Sequence, residues 1–228
     1  IASCLVGSEM CIRDSSYTST LRAYVYAGLI SSGPWVLSII SVMLIGFLSI
    51  GVVIPDTLVR QFLVSVTYLM ATSLVVTGGL QLFFTRFISD RLFERRYDMI
   101  LPNLLGILLI VTVAAGLLAF VLLATLFDEP FVYRLLMLSN FVVLCNLWLV
   151  IIFLSGMKAY NRILLVMLAG YTLMVASAFV LRAWKMEGLL LALLIGHASL
   201  LFMFLYDILR EYHSDRLIAF DFLDRSKV

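Results

Sequence analysis

Nine polar or aromatic side chains sit inside long apolar runs of this chain, and they are where chemistry could reside: Trp35, Tyr68, Gln81, Asn103, Asn140, Asn146, Trp148, Tyr171 and His197. Amides and aromatic rings without fixed charge suit carbohydrate. Sugar rings lay apolar C–H faces on aromatics and exchange hydrogen bonds with amides. The same residue types also fill membrane-interface belts and tie helices together, so each position stays open between a substrate path and packing. His197, within Gly196-His-Ala-Ser199, reads either as a neutral ring hydrogen-bonded to a neighbouring helix or as a group on a pathway.

Nothing in this set can carry out catalysis. Paired aspartates, a Gly-x-Ser-x-Gly elbow and a His-Glu-x-x-His helix are all missing, so no enzyme, metal or cofactor is expected. The elements that must position these side chains are six stretches free of charge: Ala23 to Pro55, Gln61 to Thr85, Met99 to Phe127, Leu135 to Met157, Ile163 to Leu181 and Gly188 to Tyr206. A helix crosses a hydrocarbon core of about 30 Å in roughly 20 residues. Six spans are therefore expected. With 63% apolar residues and a mean hydropathy of +1.11, too little polar surface remains to cover a water-soluble sphere. Unbroken runs, lacking in-and-out alternation, point to an all-α integral membrane bundle and not to a barrel.

Charge places the ends. With the N-terminus inside, the inner segments hold 12 of the 16 Lys and Arg and the outer loops only Arg60, Arg134, Arg182 and Lys185, so both termini are expected in the cytoplasm. The net charge of +2 follows this topology and implies no nucleic-acid partner. The interiors carry no Asp, Glu, Lys or Arg, so no proton or sodium coupling site is visible. Of three cysteines, Cys4 and Cys11 lie in the N-terminal tail and Cys145 mid-span, which gives no disulfide framework.

Within the first stretch, Gly28-Leu-Ile-Ser-Ser-Gly33-Pro34-Trp35 removes a backbone donor at Pro34, so Gly33 and Pro34 are the hinge candidate. Gly28 with Ser32, Thr77 with Gly78 and Gly79, Ala115 with Ala119, and Gly196 are small enough for helices to approach closely. The loop Arg86 to Asp98 reads as a solvated extension of the second helix. It sets Arg91 and Arg95 on one edge and Asp90, Glu94 and Asp98 on another; Arg91, Arg95 and Arg96 could contact anionic lipid or a cytoplasmic partner. Three segments result: residues 1–14, 15–207 as the six-span lobe, and 208–228 as a cytoplasmic connector. The first, C-L-V-G-S-E-M-C-I-R-D at its heart, resembles translated sequencing-adapter read-through and is expected to be a non-native tail. In the last, Ile208, Leu209, Tyr212, Leu217 and Phe220 recur at helix-like intervals, so an interfacial helix and a solvated tail are both open.

The run from Ser16 to Ile39, S-Y-T-S-T-L-R-A-Y-V-Y-A-G-L-I-S-S-G-P-W-V-L-S-I, resembles the opening of the PelG-type exopolysaccharide transporters. Gly79 to Phe93, G-L-Q-L-F-F-T-R-F-I-S-D-R-L-F, and Phe220-Asp-Phe-Leu223 match further parts of that family. The resemblance implies one six-helix lobe of a two-lobe flippase of the multidrug/oligosaccharidyl-lipid/polysaccharide (MOP) superfamily, in the bacterial inner membrane. It further implies export of the cationic, amino-sugar-rich Pel polymer, with PelD, PelE and the glycosyltransferase PelF as partners. The competing class is a six-span sensor or anchor attached to a cytoplasmic domain; six further apolar spans in a longer gene would favour the transporter.

Overall fold

The computed structural model describes residues 36–50, 57–126, 128–156, 160–212 and 218–223. Six α-helices occur among them: α1 (Val36–Ser49), α2 (Thr57–Phe93), α3 (Ile100–Leu126), α4 (Phe131–Gly156), α5 (Tyr160–Leu181) and α6 (Lys185–Glu211). Short 3₁₀ turns stand at Tyr97–Met99, Arg182–Trp184 and Asp221–Leu223, and the described residues contain no strand. Helix is the outcome physics requires here, because in hydrocarbon only a helix satisfies each backbone group within its own segment.

Four stretches are long and apolar enough to cross a membrane: Thr57–Phe93, Tyr97–Thr125, Phe131–Leu154 and Ile163–Glu211. The fourth, 49 residues long, turns back at Arg182–Trp184. Gly196 of α6 abuts the Met174 side chain of α5, and Gly170 of α5 abuts Leu200 of α6. One contact partner advances along the chain as the other retreats, so α5 and α6 form an antiparallel hairpin. Any side chain at either glycine would drive into its neighbour, which fixes how closely the two axes pass. Gly188 closes the turn in the same way against the Leu181 carbonyl, and Lys185 bends through the left-handed region at φ 53°.

The core is organised around α4. Leu144, Cys145, Leu147, Trp148, Leu149 and Val150 are all buried, although they point in every direction around that helix. It packs against α2, α3 and α6, while α5 reaches the bundle chiefly through α6. α1 joins through Gly46, which meets Leu63, and through Ser38, whose hydroxyl lies 3.7 Å from the Met70 sulfur. The outward faces carry Val75, Leu82, Phe120, Leu165, Val180 and Phe202, as expected of surfaces bathed in lipid.

Three details differ from the sequence reading. Gly78 and Gly79 face open space with nothing near a side-chain position, so they mediate no close approach among the described residues. Gly170, which sequence alone did not single out, does. α6 runs on to Glu211, and Tyr212 is extended at φ −111° and ψ 117°, so a helix spanning 208–220 does not form. Residues 1–35, including Gly28, Ser32, Gly33, Pro34 and Trp35, lie outside the described residues.

Gly196→Val should therefore weaken the bundle by about 1–3 kcal/mol, whereas Gly79→Ala should be neutral or gain up to about 1 kcal/mol. Unfolding of the purified protein in mixed detergent micelles measures both; equal behaviour of the two variants would contradict the α5–α6 packing.

Candidate functional site

The polar side chains of the bundle form ties between helices. On α2, Ser73, Thr77, Gln81, Thr85 and Ser89 recur every fourth residue and so line one edge of the helix. Thr77 donates to the Ser73 carbonyl at 2.7 Å, the Gln81 amide donates to the Thr77 hydroxyl at 2.7 Å, and Thr85 donates to the Gln81 carbonyl. The ladder is buried from Ser73 to Gln81. Its head accepts a hydrogen bond from Trp148 Nε1 of α4 at 2.9 Å.

Other candidates serve the same purpose at different contacts. Asn140 of α4 donates to the Leu190 carbonyl of α6 at 3.1 Å, and Asn146 of α4 donates to Thr112 Oγ1 of α3 at 2.9 Å. Asn103 of α3 donates to the Met99 carbonyl of the preceding 3₁₀ turn and to Asp221 Oδ2 at 3.3 Å. Tyr171 of α5 meets His197 of α6 edge to face, ring centres 6.1 Å apart. The His197 bond differs from expectation: Nδ1 lies 3.0 Å from the Leu193 carbonyl of its own helix, not of a neighbour. That carbonyl can only accept, so Nδ1 bears the proton and Nε2 is left as an acceptor.

Four buried acceptors have no hydrogen-bond partner among the described residues: the side-chain oxygens of Asn103, Asn140 and Asn146, and His197 Nε2. Hydroxyl or ammonium groups would satisfy them, yet they occupy four separate helix contacts and do not converge. Tyr68 differs from the rest, being 70% exposed on the lipid-facing side. It borders a cleft of about 130 Å³ between α2, α3 and α4, walled by Leu69, Ala119, Leu122, Met137 and Phe141. This is smaller than the ~300 Å³ at which small-molecule pockets begin.

A second polar assembly lies where α2 ends and α3 begins. α2 is 37 residues long, about 55 Å at 1.5 Å per residue, so it outruns a 30 Å core and projects beyond it. Its end is a Schellman closure: Arg96 N–H bonds to the Arg91 carbonyl, and Arg95 N–H to the Leu92 carbonyl. Arg95 takes the left-handed residue of that motif at φ 59°, where glycine is favoured. Arg95 thus leaves the edge shared with Arg91. Arg91 is also not solvated: it is 6% exposed, bonds Glu94 at 2.6 Å and lies 5.1 Å above the Phe87 ring. Arg95 and Arg96 remain exposed and able to meet lipid or a partner.

The connector covers the other side of this projection. Ala219 N–H donates to the Pro102 carbonyl at 3.0 Å, and the Ala219 carbonyl crosses directly over Gly106, where a side chain could not fit. Phe222 is buried among Phe84, Phe87 and Phe220, each ring centre 6.2–6.3 Å away. Tyr212 packs edge to face on Phe153, which brings the ends of α4 and α6 to this same end of the bundle. Partial burial, with Glu211 and Tyr97 adding negative potential, holds its phenol above the usual tyrosine range. Sequence reasoning missed Ser73, Thr112, Asp221 and Gly106; the fourfold spacing on α2 was a readable signal for the first, while the other three depend on long-range contacts.

Trp148→Phe, Ser73→Ala and their combination should give a coupling energy of about 0.6–1.7 kcal/mol in a double-mutant unfolding cycle, and zero coupling would remove the tie. Arg95→Gly should stabilise by about 1 kcal/mol through release of the left-handed backbone, read in the same assay.

Searches of curated proteins and of solved structures gave no match. A family model, PelG, exopolysaccharide exporter (EPS-E), matches residues 8–228. Among the described residues, a helical bundle with stretches suited to crossing a membrane agrees with a family of exporters. The chain therefore belongs to the PelG family of exopolysaccharide exporters.

Proposed function

We propose that the chain is the first lobe of the exporter that carries Pel exopolysaccharide across the bacterial inner membrane. The observation that carries this reading is the family match across residues 8–228, joined to six apolar runs that are free of charge. In this reading the segment before α2 supplies the first of six spans, and the α5–α6 hairpin supplies the last two. The end holding Arg91, Arg95, Arg96 and the connector faces the cytoplasm, in keeping with the excess of Lys and Arg there. Trp184, exposed beside the Arg182–Phe179 stack at 3.9 Å, then sits at the opposite interface, where tryptophan is favoured.

A lobe of this build shows lipid-type surface on its outside, so enclosing a polar polymer requires an opposing surface. A second six-helix lobe of the MOP type supplies it in this proposal. An uncharged lining suits a cationic polymer that must leave as readily as it enters; a buried carboxylate would retain it. Trp35, Asn146 and Trp148 are the side chains proposed to take part in that route, and PelD, PelE and PelF are the proposed partners on the synthesis side.

In a Pel-producing host lacking its exporter, the full-length protein should restore secretion. Replacing Trp35, Asn146 and Trp148 together by Ala should cut secretion at least tenfold without loss of membrane insertion, and undiminished secretion removes those three from the path. Single cysteines at Arg95 and Trp184 should react with an impermeant maleimide from the cytoplasmic and periplasmic sides respectively; the reverse pattern inverts the topology.

A further inference from the structure

The cleft between α2, α3 and α4 is lined by side chains that are almost wholly apolar, among them Ala119, Leu122, Met137 and Phe141. Tyr68 and Thr72 of α2, both exposed, stand at its rim, so it opens on the lipid-facing side. Its volume of about 130 Å³ is close to the ~150 Å³ of a dry apolar cavity that takes up benzene. A slot of this size accepts several carbons of a hydrocarbon chain and not a whole ligand.

Toward the start of α4 the chemistry changes. Arg134 precedes Met137 by three residues and Phe141 by seven, so the three share one face of α4. Seven residues rise about 10 Å, and a helical side chain leans toward the N-terminal end of its helix. The half-buried Arg134 therefore stands over the α4 wall of the cleft with its guanidinium leaning out of the hydrocarbon. On α2, Gln61 holds the same register to Tyr68. Its amide donates to Glu129 Oε1 at 3.3 Å, which brings that carboxylate over the α2 wall. Between them the Ser65 and Tyr133 hydroxyls, 2.9 Å apart, tie α2 to α4 and fix the spacing of the two charges. Among the described residues neither Arg134 nor Glu129 belongs to an ion pair, with each other or with any third group.

One cation and one anion, held apart over a slot for hydrocarbon, complement a zwitterion with a tail. We propose that this cleft is a phospholipid site selective for an ammonium headgroup, the chemistry of phosphatidylethanolamine. Arg134 takes the phosphate, for which a guanidinium is suited by charge and by its forked donors. Glu129 takes the ammonium through the oxygen that Gln61 leaves open. The first carbons of one acyl chain fill the cleft, and the Tyr68 hydroxyl at the rim donates to an ester carbonyl. An anionic lipid such as phosphatidylglycerol offers the phosphate but no partner for Glu129. In the orientation proposed above the site lies in the periplasmic leaflet; lipid binding itself owes nothing to the export reading.

The test uses the full-length protein in nanodiscs of phosphatidylethanolamine and phosphatidylglycerol in equal parts, with one or the other lipid carrying a photoreactive diazirine on its acyl chain and the labelled peptides read by mass spectrometry. Label from phosphatidylethanolamine should concentrate on the peptides holding Tyr68 with Thr72 and Met137 with Phe141, about tenfold above label from phosphatidylglycerol, the ratio expected for one charge-assisted hydrogen bond. Arg134→Gln should lower that label about tenfold by the same reasoning. Glu129→Gln should keep the label but erase the preference between the two lipids. Thr72→Phe, at an exposed position, fills the slot and should suppress labelling by both, whereas Leu165→Phe, on the lipid-facing side of α5, should change nothing. Label spread evenly over all lipid-facing helices, or unchanged in Arg134→Gln, overturns the site. Equal or heavier labelling of the parent by phosphatidylglycerol overturns the selectivity for ammonium. Each readout is binding, so loss of polymer secretion in a cell would bear on the export reading and not on this one.

Discussion

Hydrocarbon offers no hydrogen-bond partner, and nearly every feature of this bundle follows from that scarcity. Backbone groups are satisfied by making each segment a helix. Side-chain polar groups are satisfied by bonding back to the fourth preceding carbonyl, as Thr77, Asn140, Asn146 and His197 do, or by crossing to another helix, as Trp148, Asn140 and Asn146 do. Because lipid tails are as apolar as leucine, burial of apolar surface gives the helices little reason to associate. Close contact at Gly170 and Gly196 and a few polar ties must supply it. α4 carries three of these ties, to α2, α3 and α6, which is why it sits at the centre.

The rules change where the chain leaves that environment. At the end of α2 charge and aromatic surface appear together: Arg91 lies 5.1 Å from the Phe87 ring centre and holds Glu94, while Phe222 packs edge to face on Phe84. Two cationic residues, Arg95 and Lys185, take positive φ at turns on opposite ends of the bundle. Both turns are short enough that the backbone must reverse within a residue or two, and water at the interface solvates the charged side chains that stand there.

This division bears on function. Ties spread over α2, α3, α4 and α6 join the described helices into one unit, in a chain of the PelG exporter family.

The sequence by itself determined the class of structure: runs of uncharged apolar residues longer than a bilayer is thick leave helices in lipid as the one solution, and motifs near Gly79 and Phe220 pointed to the family that the match over residues 8–228 then showed. It also determined which side chains would be polar problems in that solvent. What it could not determine is which partner solves each problem, because a helix repeat tells which residues share a face and not what that face meets. Gln81 and Trp148 looked alike as path candidates, and the structure joins both to one ladder headed by Ser73. Arg91 looked solvated until Phe87 and Glu94 enclosed it, and Gly78 and Gly79 looked like a contact until they proved open. The docking of Ala219 over Gly106 joins residues more than a hundred positions apart. Only the tertiary structure could decide it, since the reason for that glycine is the space occupied by a distant backbone carbonyl.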